Sequence, residues 1–98
     1  MAIRHVVTIR VAPGRAADFA GVFRTLQAMA QREEGCEQYE LFQSVDDPDR
    51  VVLLERWASQ ALLDRHMEAE RTRNRSAVDA VMALWAPDSA PTIERFEV

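Results

Sequence analysis

Few side chains in this 98-residue sequence are of the types that do chemistry. His66 follows Leu62 by four residues and Leu63 by three, so on a helix it shares their inward side. An imidazole there could act as a general base with a pKa near neutral, or donate to a substrate oxygen. It could equally be a structural histidine at a helix end, bonded to a carbonyl or carboxylate. Trp57 has the parity of Val51, Leu53 and Glu55, and a flat aromatic substrate could stack on it; a core or dimer-contact Trp has the same signature. His5 alternates with Val7 and Ile9. If that face meets helices, His5 lies near the mouth of a pocket, although a satisfied core or edge His reads the same.

The remaining candidates carry weaker signals. Arg71, Arg73, Asn74 and Arg75 form a basic cluster in an acidic chain. Guanidinium forks bind carboxylate or phosphate, but a solvated helix face paired with Glu68 and Glu70 explains the cluster too. Tyr39 alternates with Leu41 and reads as a dimer-face residue. Cys36 has no basic neighbour and reads as a small buried apolar side chain.

The inventory excludes other chemistries. All twelve basic residues are arginine, so a lysine Schiff base or a phosphate-loop lysine is impossible. One cysteine forms no internal disulfide and no Cys-cluster metal site, and no metal is expected. Gly14, Gly21 and Gly35 are too scattered for a dinucleotide fingerprint. A net charge of -4 disfavours nucleic acid as a partner. The longest apolar run, Ala80 to Ala86, is far short of the ~20 residues that cross a bilayer, so no membrane partner is expected and the protein is placed in the cytoplasm. The composition, 48% hydrophobic and 29% charged, fits one globular domain over residues 1–98.

The elements that must position these residues follow from periodicity. Ile3 to Val11 alternates as a strand and stops at Ala12-Pro13-Gly14. Arg15 to Arg32 carries Phe19, Val22, Phe23, Leu26, Met29 and Ala30 at helical spacing, and Gly35 supplies a left-handed residue beyond it. Cys36 to Val45 and Val51 to Ala58 read as strands around the turn Asp46-Asp47-Pro48-Asp49. Ser59 is a candidate N-cap for a short helix through Met67. Glu68 to Asn74 reads as loop or frayed helix, Ala77 to Trp85 as helix, and Thr92 to Val98 as a last strand. This order predicts an α+β, ferredoxin-like fold: a four-stranded antiparallel sheet with helices on one face. The strands are apolar on both faces, and no element is left to cover the second. A second copy packing sheet against sheet is the expected partner.

Several pieces in order then resemble a known family. They are Ala12-Pro13-Gly14, Arg32-Glu33-Glu34-Gly35-Cys36-Glu37-Gln38-Tyr39, Asp46-Asp47-Pro48, and Leu54-Glu55-Arg56-Trp57 followed nine residues later by His66. Together they resemble the antibiotic biosynthesis monooxygenase family, most strongly from Ile3 to Met67. The resemblance implies a dimeric α+β barrel with a pocket between each sheet and its own helices. It also implies cofactor-free oxygenation of phenolic, quinol or polyketide aromatics, heme degradation, or isomerisation of a phosphorylated signal.

The sequence departs from several branches. Heme-degrading members place Asn at the position of Val7, Trp at that of His66, and an iron-ligating His near Arg75; all three differ here. Polyketide oxygenases place Asn where Leu53 stands and Tyr where Leu63 stands. Quinol-oxidising and isomerase relatives often carry a second His about where Arg71 stands. The pattern is nearest the quinol type, with an altered site. The resemblance therefore implies a cofactor-independent monooxygenase acting on a small phenolic or quinol-type aromatic, with no cofactor required. The alternatives are a cofactor-free isomerase or a non-catalytic small-molecule-binding dimer. The implied site has His66 as base beside Trp57, with Val7, Met67, Val78 and Met82 as walls, His5 at the mouth and Arg75 toward an anionic group.

Overall fold

A computed structural model describes residues 1–98. Strand β1 (Ile3–Arg10) is followed by helix α1 (Ala16–Gln31), strands β2 (Cys36–Gln43) and β3 (Arg50–Trp57), helices α2 (Gln60–Arg71) and α3 (Arg75–Met82), and strand β4 (Thr92–Glu97). The four strands form one antiparallel sheet in the order β2-β3-β1-β4. This is the ferredoxin-like α+β arrangement that the periodicity predicts.

Period-2 alternation sets which side chains the helices cover. On β1, Ile3, His5, Val7 and Ile9 are buried and Arg4, Val6 and Thr8 are half-buried. The register places Ile3 opposite Trp57, His5 opposite Glu55, Val7 opposite Leu53 and Ile9 opposite Val51. A slip of one residue would turn all of these to the other face, so burial of one face fixes the pairing. Phe19, Phe23, Leu26 and Ala30 form the buried stripe of α1 and pack on this inner face. The rings of Phe19 and Phe23 stack at 5.9 Å, and those of Phe23 and Tyr39 at 5.8 Å. Helix α2 starts at Ser59, whose hydroxyl accepts from the Leu62 amide at 3.3 Å.

Four expectations change. Tyr39 does not face a partner; it is inner and only 2% exposed. A bulge between Cys36 and Gln38 is the cause, because it brings Cys36 and Tyr39 to the same face despite their odd spacing. Strand β2 ends at Gln43, and Val45 is 99% exposed. The Asp47 amide donates to the Ser44 hydroxyl and the Ser44 amide to the Arg50 carbonyl, which closes the turn early. Helix α2 continues through Arg71, because Ala69 is buried against the core side. Trp85 lies beyond α3. Its backbone pairs with Val11, where β4 no longer flanks β1, and the Ala86 amide donates to the Arg10 carbonyl at 2.8 Å.

Gly35 joins the α1 turn to β2 at φ +83°, and its carbonyl accepts from the Ala58 amide. A methyl group at this position would run into Leu62 Cδ1 and stand 2.9 Å from Leu62 Cβ, at the start of α2. Two costs therefore combine, the left-handed backbone and the overlap. We expect Gly35→Ala to lower stability by about 1–3 kcal/mol in denaturant titration. Unchanged stability would show that α2 shifts freely at this contact.

Candidate functional site

The inner face of the sheet and the helices line a half-open cavity of about 190 Å³. β1 contributes Val7 and Ile9, β3 contributes Leu53, and α1 contributes Phe23 and Leu26. Val78, Val81 and Met82 of α3 line another side, with Trp85, Pro91 and Ile93 from the segment that returns into β4. Against these apolar walls stand few polar side chains: Glu55 of β3, Glu70 of α2 and Tyr39 of β2. An engineered apolar cavity of ~150 Å³ holds benzene, so this volume suits a small aromatic ring.

His66 sits behind the two carboxylates rather than in the cavity wall. Its Nδ1 is 2.6 Å from Glu33 Oε2, and its Nε2 is 3.4 Å from Glu70 Oε2 and 3.8 Å from Glu55 Oε1. The ring stacks on Trp57 with centroids 4.4 Å apart and meets the edge of Tyr39 at 5.5 Å. The Trp57 indole N–H donates to Glu55 Oε1 at 2.9 Å. Helical spacing puts Glu70 one turn after His66, and strand pairing puts Glu55 next to Tyr39.

Burial by itself would push the imidazolium down, but the carboxylates of Glu70, Glu33 and Glu55 more than offset it and raise the His66 pKa to about 9. His66 is therefore an imidazolium at neutral pH, with Nδ1 hydrogen-bonded to Glu33 and Nε2 facing the carboxylates of Glu70 and Glu55, instead of the near-neutral base that its sequence position allows. The flat face of Trp57 adds a cation–π contact. Burial raises the Glu55 pKa, while the Trp57 N–H and His66 oppose the rise. Burial, then Glu55, Glu70 and Glu33, hold the Tyr39 phenol well above its usual value, so it stays protonated and able to donate. Burial, Arg95 and His66 lower the His5 pKa. Burial with Glu33 and Glu55 nearby raises the Cys36 thiol to about 11, which leaves it unreactive.

The structure gathers some of the expected site and disperses the rest. Val7, Val78 and Met82 line the cavity. His66 and Trp57 lie together beneath its polar end. Trp57 is fully buried with His66 on its face, so no substrate stacks on that face. His5 is buried opposite Glu55 and outside the lining. Met67 is on the outer side of α2 and 37% exposed. Arg75 is exposed and paired with Asp79 at 2.8 Å, Arg71 is paired with Glu68, and Arg73 reaches Glu33 at 3.6 Å. The three arginines are thus surface side chains spread over the end of α2, the turn and the start of α3, whereas Asn74 in that turn is buried and the neighbouring Glu70 turns inward to His66. The sequence reading missed Glu33, Glu55 and Glu70. The signal for Glu55 was present: a carboxylate with the inward parity of Val51, Leu53 and Trp57. No group of three or more His, Cys, Asp or Glu side chains is arranged to hold a metal ion.

Protonation of His66 links this cluster to stability. The group titrates near 6.5 in an unfolded chain and at about 9 in the fold, so the native state binds the proton more tightly. Its contribution is complete below about pH 6.5 and is lost as pH rises through 9. We expect the thermal midpoint, followed by circular dichroism, to fall over that window. The stability lost should be on the order of a few kcal/mol. A midpoint that stays flat from pH 6.5 to beyond 9 would mean that the imidazole is neutral in the fold.

With this geometry in hand, comparison with known proteins gives a consistent result. The family described as antibiotic biosynthesis monooxygenase matches residues 2–75. A crystal structure from Caulobacter crescentus CB15, of a protein assigned to the antibiotic biosynthesis monooxygenases, is 31% identical. It superposes with a TM-score of 0.86 over 99% of this chain and 89% of its own. SnoaB from Streptomyces nogalater, a cofactor-independent oxygenase, is 20% identical with a TM-score of 0.84 over 99% of this chain and 92% of its own, a likeness of fold. YcnE from Bacillus subtilis (strain 168), assigned as a monooxygenase, is 33% identical over 60 residues; the match spans 61% of this chain and 63% of that protein's length. The match across residues 2–75 and the 31% identity over nearly the whole fold place this chain in the antibiotic biosynthesis monooxygenase family.

Proposed function

We propose that the protein is a cofactor-independent monooxygenase acting on a small phenolic or quinol-type aromatic. The observation that carries this reading is the apolar cavity whose polar end is made by Glu55 and Glu70. A ring hydroxyl bound there meets a carboxylate held in place by Trp57 and by the His66 imidazolium. Deprotonated, an electron-rich ring can itself reduce dioxygen. In the overall reaction, a quinol and O₂ give a hydroxyquinone and water. The ring supplies four electrons, one oxygen atom enters the ring and the other leaves as water.

Glu55 is the proposed proton acceptor. Its raised pKa brings it nearer to that of a phenol, which favours proton transfer. The apolar walls limit the water around the radical or peroxide stage once the ring fills the cavity. His66 and Trp57 are positioning residues in this scheme. Removing His66 would leave Glu33, Glu55 and Glu70 facing one another in a buried site, a loss of about 3–5 kcal/mol by the usual cost of breaking a buried pair. Glu55→Gln is the cleaner variant, because it keeps shape and removes the acceptor.

We expect oxygen uptake with a panel of hydroquinones, without metal or flavin, to depend on the protein. Glu55→Gln should lower turnover by roughly 10²–10⁴-fold. Wild-type activity should rise with pH through the elevated Glu55 pKa and fall as pH passes about 9, where His66 loses its proton. A folded, fully active Glu55→Gln enzyme would overturn its role. Substrate conversion without oxygen uptake would favour an isomerase, and binding without turnover a non-catalytic dimer.

A homodimer is part of the same proposal. The outer face of the sheet carries Val6, Val52 and Leu54, with Phe42 and Phe96 more than two-fifths exposed, and no helix covers it. A second copy laid on this face would bury these residues. Sedimentation should show a dimer at micromolar concentration; a stable monomer would overturn this assembly.

A further inference from the structure

Tyr39 carries a hydroxyl that nothing in the fold satisfies. Beyond the sheet ladder the residue makes one hydrogen bond, and that is at its carbonyl, which accepts from Gln31 Nε2 at 3.0 Å. Among side-chain nitrogens and oxygens sealed from solvent, only the Trp85 indole nitrogen lacks a partner. The unbonded Tyr39 oxygen is therefore not sealed; it keeps accessible surface. The residue is only 2% exposed, its side chain lies on the inner face, and it lines the cavity, so the cavity is where that surface opens. Buried donors are almost always paired, and one left free beside a cavity points to a ligand that pairs it.

This donor stands with the acceptors. Pairing of β2 with β3 puts Tyr39 directly opposite Glu55. Cross-strand neighbours on one face have Cβ atoms about 4.5–5.5 Å apart. After burial, the Glu55 and Glu70 carboxylates act most strongly on the phenol and keep it protonated. Its ring is fixed by Phe23, stacked at 5.8 Å, and by the His66 ring at 5.5 Å. Of the residues that line the cavity, Tyr39 alone carries a hydroxyl. One end of the cavity thus holds carboxylate acceptors and a fixed donor side by side, within reach of a single substrate oxygen.

We propose that the Tyr39 hydroxyl is a catalytic donor, hydrogen-bonding the same ring oxygen whose proton Glu55 takes. In that step the substrate O–H bond breaks and the proton forms the O–H bond of a neutral Glu55 carboxyl. The electron pair stays on the ring oxygen as a phenolate, and Tyr39 donates to it. A hydrogen bond to an ion is stronger than one to a neutral hydroxyl. The contact therefore strengthens as charge develops, and it favours the transition state over the bound phenol. This rests on the reading of Glu55 as the proton acceptor and adds the group that holds the charge so created.

Binding of 4-nitrophenol tests this, because its phenolate absorbs at a longer wavelength than its phenol and the ring is not oxidised by dioxygen. At a pH where the free ligand is neutral, wild type should bind part of it as the phenolate. Tyr39→Phe keeps the ring and its stacking and removes the donor. The ratio of bound phenolate to bound phenol should then fall roughly ten- to a hundredfold, the effect of one hydrogen bond to a charged group. An unchanged ratio would overturn the proposal alone. Wild type that binds only the neutral form would remove Glu55 as acceptor, and this inference with it; wild type that binds nothing would remove the aromatic reading as well. Two further readouts separate a donor to substrate from a structural hydroxyl. Without ligand, Tyr39→Phe should keep the wild-type thermal midpoint, because the hydroxyl bonds nothing there; a lowered midpoint would show that it is bonded within the fold and overturn the proposal. With a hydroquinone that turns over, kcat should fall by a similar factor while KM stays nearly constant. A loss confined to KM would overturn the catalytic role.

Discussion

The interaction on which the site depends is the imidazolium of His66 held among carboxylates. Glu33 comes from the turn after α1, Glu55 from β3 and Glu70 from α2 itself. A single positive charge thus joins three parts of the chain at the point where sheet and helices meet. Like charges so close would repel strongly without it, and a buried cation without them would lose its proton. Trp57 closes the arrangement, with its face on the imidazole and its N–H on Glu55. The cavity inherits its polar end from this cluster: Glu55 and Glu70 face inward because they are bound from behind.

The sheet provides the other half of the geometry. Antiparallel pairing of β1 with β3 stacks the inner residues in levels, from Ile3 and Trp57 through His5 and Glu55 to Ile9 and Val51. The polar cluster occupies the levels near Trp57, and the apolar cavity occupies those toward Ile9. The β2 bulge adds Tyr39 to the Glu55 level, where its ring also bridges Phe23 and His66. Position along one strand therefore separates the charged part of the interior from its greasy part.

Most of the architecture was legible in the sequence, because it rests on periodicity. Alternation in β1 and β3 and the Phe19–Ala30 stripe specify which faces are buried, and Ser59 marks the start of α2. The site was legible only in part. The inward spacing of His66 was visible, but its protonation was not, because Glu33 lies 33 residues away and meets it only through the fold. Tyr39 was assigned to the wrong face because one inserted bulge residue reverses parity, and no local pattern announces a bulge. Arg75 looked available in a row of arginines until Asp79, one helical turn on, took its guanidinium. Trp85 fits the apolar stripe of a helix by spacing, and only the long-range bridge to Val11 takes it out of that helix.

The absence of lysine from the chain bears on what the protein can survive. A hydroxyquinone, the product of the proposed reaction, is an electrophile that adds to amines and thiolates. The twelve Lys-or-Arg positions here are all arginine, whose guanidinium groups are protonated at any physiological pH and offer no free amine lone pair. The single thiol, Cys36, is held in its protonated form by burial and by Glu33 and Glu55. Among the side chains, the lysine amine and the thiolate that would best capture such a product are therefore missing or masked.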